Sequence, residues 1–150
     1  MAPDKDIKQK IRDLFINQKL AVLSMHDSGQ PYANLVAFLG NKDLKEIFFV
    51  TPRTTRKFAN LSADSRVALL INSSLNTESD FHEAVCVTAL GNAKEIFGGR
   101  KDEILRLYLS KHPYLEEFAT SPTCALVGVT ITTYVMVKNF QHVMELHIAQ

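Results

Sequence analysis

Three apolar runs joined by turns too short for a crossover fix the topology of the first half of this chain. Lys19 to Met25 carries Leu20, Ala21, Val22 and Leu23. Tyr32 to Leu39 follows after His26-Asp27-Ser28-Gly29-Gln30-Pro31, and Glu46 to Thr51 follows after Gly40-Asn41-Lys42-Asp43. A parallel pair would need a dedicated crossover segment, so the three runs are expected to be strands of an antiparallel meander. Gly29 offers the positive φ that a tight turn demands.

The remaining segments extend the same pattern. Asp4 to Gln18 places Ile7, Ile11, Leu14 and Phe15 at helical spacing, with Asp4 or Asp6 available as a cap. Lys57 to Leu61 reads as a short helix, and Arg66 to Asn72 as a fourth strand. Ser73 to Asp80 is polar and loop-like. Glu83 to Phe97 alternates as a long strand, in which Gly91 predicts a bulge or bend. Lys101 to Lys111 is helical until Pro113 stops it, and Tyr114 to Phe118 allows one further turn of helix. Thr123 to Val137 is a second long strand, and Phe140 to Ile148 offers a further short one. About six antiparallel strands with flanking helices remove their edges by closing, so the expected fold is mainly β, a small six-stranded antiparallel barrel.

Composition bounds what such a barrel can do. At 150 residues the chain fits one domain spanning residues 1–150, with enough length for a real core. A formal charge of +1 gives no global electrostatic case for nucleic acid or an anionic membrane. The polar Met1 to Asp6 lacks a signal-like apolar core, and no apolar run is long and clean enough to span a bilayer. Cys86 and Cys124 both fall in apolar strand-like runs, as free thiols of a reducing compartment do. The expected location is the cytoplasm.

One stretch concentrates chemistry. Phe48-Phe49-Val50-Thr51-Pro52-Arg53-Thr54-Thr55-Arg56-Lys57 runs from a buried strand into hydroxyls and three cations, directly before a helix. A helix N-terminus flanked by Arg, Lys and Thr suits an anion, and phosphate best, because Arg presents a fork and Thr a short donor. The plain alternative is a strand-to-helix turn whose cations are solvated. Elsewhere the sequence has no HExxH, no CxxC, no GxSxG, no SxxK and no GxGxxG, and Glu116-Glu117 reads as the solvated face of a short helix. No metal site is expected. His142 and His147, in the tail, are the only histidines that invite a metal or haem reading. Any catalysis would then rest on a cofactor, and a phosphate-bearing one joins that inference to the anion site.

The order of these segments resembles the pyridoxamine 5′-phosphate oxidase-like flavoproteins, which share an FMN-binding split β-barrel. The resemblance runs from about Lys19 to Phe140. It is sharpest at Thr51 and Thr55-Arg56-Lys57, which match the family's hydroxyl…Ser/Thr-Arg-Lys signature. It implies that Arg56 and Lys57 hold the FMN phosphate, with Thr51 and Thr55 adding hydroxyls. It also implies that Asn34, Leu35 and Val36 lie along the isoalloxazine ring, partly through backbone groups, with Val50 near the ring. The cofactor would sit at the interface of a homodimer, and a small-molecule substrate or electron donor would be the other partner.

The sequence also departs from that family. Asn34 and Leu39 stand where pyridoxamine oxidases proper carry an Arg and a Lys, and Ala84 stands near the place of a Gln. The chain has no Trp and ends without the family's substrate-binding Trp and Arg pattern. The resemblance therefore implies a kept cofactor site and a changed substrate site: an FMN-dependent oxidoreductase that does not use pyridoxamine phosphate. Beside it stand a non-enzymatic flavin-binding or redox-sensing protein, and a haem- or deazaflavin-binding relative on the same barrel.

Overall fold

A computed structural model describes residues 2–150. Helix α1 (Ala2–Asn17) leads into strands β1 (Leu20–Asp27), β2 (Gln30–Gly40) and β3 (Glu46–Pro52). Helix α2 (Arg56–Ala63) precedes β4 (Arg66–Asn72), and the short α3 (Asp80–Glu83) precedes the long β5 (Val85–Ile96). Helix α4 (Gly98–Lys111), a 3₁₀ turn (Pro113–Leu115) and α5 (Glu116–Thr120) lead to β6 (Cys124–Lys138), and β7 (His142–His147) ends the fold.

The strands form one antiparallel sheet in the order β3-β2-β1-β4-β5-β6-β7, and β3 also pairs with β6. That second pairing closes β1 to β6 into the expected six-stranded barrel. β7 is an addition outside the closed ring. One edge of β6 is shared in sequence: residues 124–130 pair with β3, and residues 133–138 pair with β7. The barrel splits where those two partners part. The pairing register of β5 on β6 shifts at the same level, between Leu90 and Gly91. A Cβ on Gly91 would lie 2.2 Å from the Thr130 carbonyl oxygen, so only glycine lets the two backbones pass there.

Helix α1 plugs the split. Ile7, Ile11, Leu14 and Phe15 are all buried, and Phe15 packs edge-on against Phe38 with ring centroids 5.9 Å apart. Tyr134, wholly buried, donates from its hydroxyl to the Leu44 carbonyl at 2.6 Å and so pins the β2–β3 turn. A second, smaller apolar layer lies outside the barrel wall. There Phe48, Val50, Cys124 and Leu126 are covered by Ile104 and Tyr108 of α4 and Ala119 of α5. Two free thiols, Cys86 half-buried and Cys124 buried, lie on β5 and β6.

Several local expectations need correction. Helix α1 begins at Ala2, so Asp6 is inside it and pairs with Lys10 one turn on, rather than capping. The long strand starts at Val85, two residues later than the alternation suggested. The preceding residues coil into α3 because the Asp80 carboxylate accepts from the Leu75 and Thr77 amides at 3.0 and 3.1 Å, folding the polar loop back on itself. The short strand expected in the tail is present as β7, with the narrower bounds His142–His147.

Candidate functional site

The site grows from the end of β3. Pairing to β2 on one side and to β6 on the other carries β3 as far as Pro52. This puts Thr51 fully inside the structure. Proline cannot donate to the ladder, and the chain turns. Thr55 then caps α2: its backbone is extended (φ −83, ψ 155) and its Oγ1 accepts the Phe58 amide at 3.2 Å. The same hydroxyl donates to the Pro52 carbonyl at 2.9 Å and lies 3.2 Å from Thr51 Oγ1. The side-chain cap takes only the third amide of the helix. The first two, on Arg56 and Lys57, have no acceptor within the helix and face outward with its positive end.

The three cations divide sharply. Arg53 is consumed by the fold: Nη2 meets Glu95 Oε2 at 2.5 Å, Nη1 donates to the Pro122 carbonyl at 2.8 Å, and its amide donates to Thr123 at 3.0 Å. It clamps the end of β3 to β5 and β6. Arg56 is 65% exposed, with its nearest carboxylate, Asp27, at 3.8 Å and its guanidinium 5.4 Å above the centre of the Tyr32 ring. Lys57 has no ion pair among the described residues, yet burial pushes its ammonium below the usual lysine value. A half-buried cation without a counter-ion is what a bound anion would relieve.

Two orphaned polar atoms lie on the framing elements. Asn34 Oδ1 on β2 and Asn60 Nδ2 on α2 are buried without a partner. Burying such groups unpaired costs about 1–3 kcal/mol each, and a polar ligand is one way to recover that.

The expected site residues thus fall into two sets. Thr51, Thr55, Arg56 and Lys57 come together at one corner. The β2 residues do not share a face: Val36 is buried toward the core and Asn34 lies on the same face, while Leu35 points outward and is 62% exposed. Val50 lies in the outer layer beneath α4, not in the barrel interior. A flat ligand along this strand would meet the Leu35 side chain and the β2 backbone on one face, and Asn34 and Val36 only on the other. Asp27 and Tyr32, which flank Arg56 from the β1–β2 hairpin, carried no sequence signal of that role. Ala84 sits between α3 and β5.

His142 and His147 are both exposed and lie five positions apart on β7, on opposite faces of the strand. His147 contacts Thr133 Oγ1 at 3.3 Å and Glu145 at 3.5 Å. No cluster of three or more His, Cys, Asp or Glu side chains suited to a metal exists among the described residues. No helix among them is long and apolar enough to cross a membrane.

Fold and corner together define a class: a six-stranded split barrel in which two cations and a capping hydroxyl follow the end of the third strand. This chain belongs to the pyridoxamine 5′-phosphate oxidase family, whose model matches residues 7–138. No curated protein matches it significantly. Among solved structures it is similar to the general stress protein 26 of Bacillus anthracis (TM-score 0.71, 16% identity, covering 95% of this chain and 98% of that one). It is also similar to a protein related to general stress protein 26, of the pyridoxinephosphate oxidase family, from Clostridium acetobutylicum (0.73, 13%, 97% and 96%). A third is a heme binding protein from Mycobacterium smegmatis (0.78, 14%, 89% and 55%), of which this chain spans little more than half the length. At these identities the likeness is one of fold.

Proposed function

We propose that this chain is an FMN-binding flavoprotein that acts as an FMN-dependent oxidoreductase, with the cofactor phosphate held by Thr51, Thr55, Arg56 and Lys57. The observation that carries this reading is the contrast between Arg53, spent on Glu95 and two carbonyls, and Lys57, desolvated with no counter-ion among the described residues. Bound FMN would supply a reversible two-electron centre, which the protein's own side chains do not offer. The chain's part is to bind and orient it. Thr55 presents a hydroxyl with the buried Thr51 hydroxyl behind it at 3.2 Å, the first amides of α2 present N–H groups, and Arg56 and Lys57 balance the phosphate charge.

The reading excludes pyridoxamine phosphate as substrate. Leu39, which stands where a lysine would be, packs against the outer apolar layer, and Asn34 in place of an arginine brings no charge. The assembly proposed with it is a two-fold dimer. Cross-strand rows such as Leu35–Val22–Leu70–Thr88–Val135 run along the outer face of β2, β1, β4, β5 and β6. Leu20, Leu35 and Leu90 on that face are exposed. A sheet face with exposed leucines over this extent suits an isologous contact.

The test is a titration of flavin-free protein with FMN, followed by flavin fluorescence and size-exclusion chromatography. Saturable binding to a dimer is expected, and Arg56→Ala with Lys57→Ala should weaken it by about 3–5 kcal/mol, because charge-assisted hydrogen bonds are the strong ones. Protein that stays colourless in FMN, or unchanged affinity in the double variant, defeats the reading. Reduction of the bound flavin by NADH or NADPH, with turnover on an acceptor, separates an oxidoreductase from a flavin store.

A further inference from the structure

A second candidate site lies at the far end of β3 from the phosphate corner, in the seam between α1, α4 and the β2–β3 turn. Two cavities of about 460 and 470 Å³ open there and share Leu39, Gly40 and Lys42, so they form one continuous groove. Each volume falls within the range of small-molecule sites. The groove reaches along β3 as far as Phe48, three residues and so about 10 Å short of Thr51.

The two halves differ in chemistry. The first is lined by Phe15, Ile16 and Leu39 together with Arg12, Lys42 and Lys111, and no carboxylate lines it. None of those cations has an ion-pair partner among the described residues. Arg12 uses only Nε, which donates to the Lys42 carbonyl at 3.0 Å, leaving the outer edge of its guanidinium free. Lys111 donates to the Phe15 carbonyl at 2.7 Å and lies 3.8 Å from the centre of the Phe38 ring; burial pushes its ammonium down to about 8. The second half is floored by Phe48 and walled by Ile104 and Leu107, and Leu107 is 51% exposed. Beyond the shared Lys42, its cation is Arg100, which is paired to Glu46, and Glu103 adds a carboxylate. Positive charge is therefore gathered at one end of an apolar trough and neutralised at the other.

We propose that this groove binds a single-chain amphiphile with an anionic head, of the long-chain carboxylate class. The carboxylate accepts from Arg12 and Lys42 beside Lys111, and the alkyl chain runs over Leu39 toward Phe48, Ile104 and Leu107. A neutral amphiphile would gain the apolar contacts but leave the cations unmatched. A cationic one would be repelled. The site is independent of the phosphate corner and shares no residue with it.

The chain has no tryptophan, so Ile16→Trp at the rim, where the native side chain is 76% exposed, gives a single reporter. Dodecanoate should shift its emission saturably, with dodecanol binding at least tenfold more weakly. Calorimetry on the unsubstituted chain should give one dodecanoate per chain. Arg12→Gln with Lys42→Gln, both surface changes whose folding is checked by circular dichroism, should weaken dodecanoate at least tenfold and leave dodecanol unchanged. No saturable binding, equal affinity for dodecanoate and dodecanol, or an unaltered double variant would each overturn the proposal. FMN affinity measured on the same samples is expected to be unchanged, so failure here and failure at the phosphate corner read out separately.

Discussion

Two corners of the barrel bury polar and cationic side chains, and they are built on opposite principles. Where α4 crosses β2, every such group ends on the protein's own backbone. Tyr108 donates to the Ala37 carbonyl at 3.0 Å, Lys111 to Phe15 at 2.7 Å, and His112 Nε2 lies 2.8 Å from the Phe38 oxygen. At the end of β3 the hydroxyls of Thr51 and Thr55 bond chiefly to each other and to Pro52. Lys57, Asn34 and Asn60 have atoms left over. Satisfied donors rigidify a scaffold, whereas donors held in place and left unmet are what a ligand uses. The three neighbouring cations divide in the same way: Arg53 is spent on the fold, whereas Lys57 has no ion pair among the described residues.

If the contrast holds, substitutions at the α4 seam act on stability and those at the Thr51 corner act on affinity. The largest effect is expected from Tyr108→Ala, which empties a fully buried aromatic site and should cost about 3–5 kcal/mol in denaturant titration. FMN affinity of whatever fraction stays folded should be intact. Arg53→Ala should cost about 1–2 kcal/mol, because the mostly buried Glu95 carboxylate is left without its partner. Its FMN affinity should stay within about twofold, and a large loss would mean that Arg53 belongs to the binding set after all.

Thr51→Val keeps the shape and removes the hydroxyl. It should weaken FMN by about 1 kcal/mol while leaving the melting temperature nearly unmoved. The smallest effect is a pH slope. Burial, the main cause, holds His112 below the ordinary histidine value, so it is neutral in the fold. As pH falls below roughly 6.5, the unfolded chain takes up a proton that the folded chain refuses, and stability is progressively lost. Calorimetric melting between neutral and mildly acidic pH should show this decline, and His112→Asn should flatten it.

Much of this was legible in the sequence because it rests on local rules. The short turns at Ser28-Gly29 and Asn41-Lys42 force antiparallel neighbours, and Ser28 and Gly29 both take positive φ, at 51 and 87. Gly91 marks the register shift that alternation alone could not. The short helix was readable over Lys57 to Leu61, but not that Thr55 caps it from Arg56 onward. The pairing of β3 with β6 was not, since closure joins residues as distant as Glu46 and Thr130. Nor was the fate of Arg53, because Glu95 and Pro122 reach it only through that closure. The sequence shows three cations side by side; only the closed barrel shows which is already taken.

That closure also sets when the protein can first hold a ligand. Thr51 pairs with Ala125, and Arg53 donates its amide to Thr123, so the corner is anchored by residues made some seventy positions later. A chain leaving the ribosome has its meander and its Thr-Arg-Lys segment long before β6 exists to hold them. Such non-local pairing is the slow kind. Any cofactor held there would accordingly join late, after the last long strand is released, and a chain truncated before Cys124 would have every residue proposed to hold the phosphate and no place to assemble them.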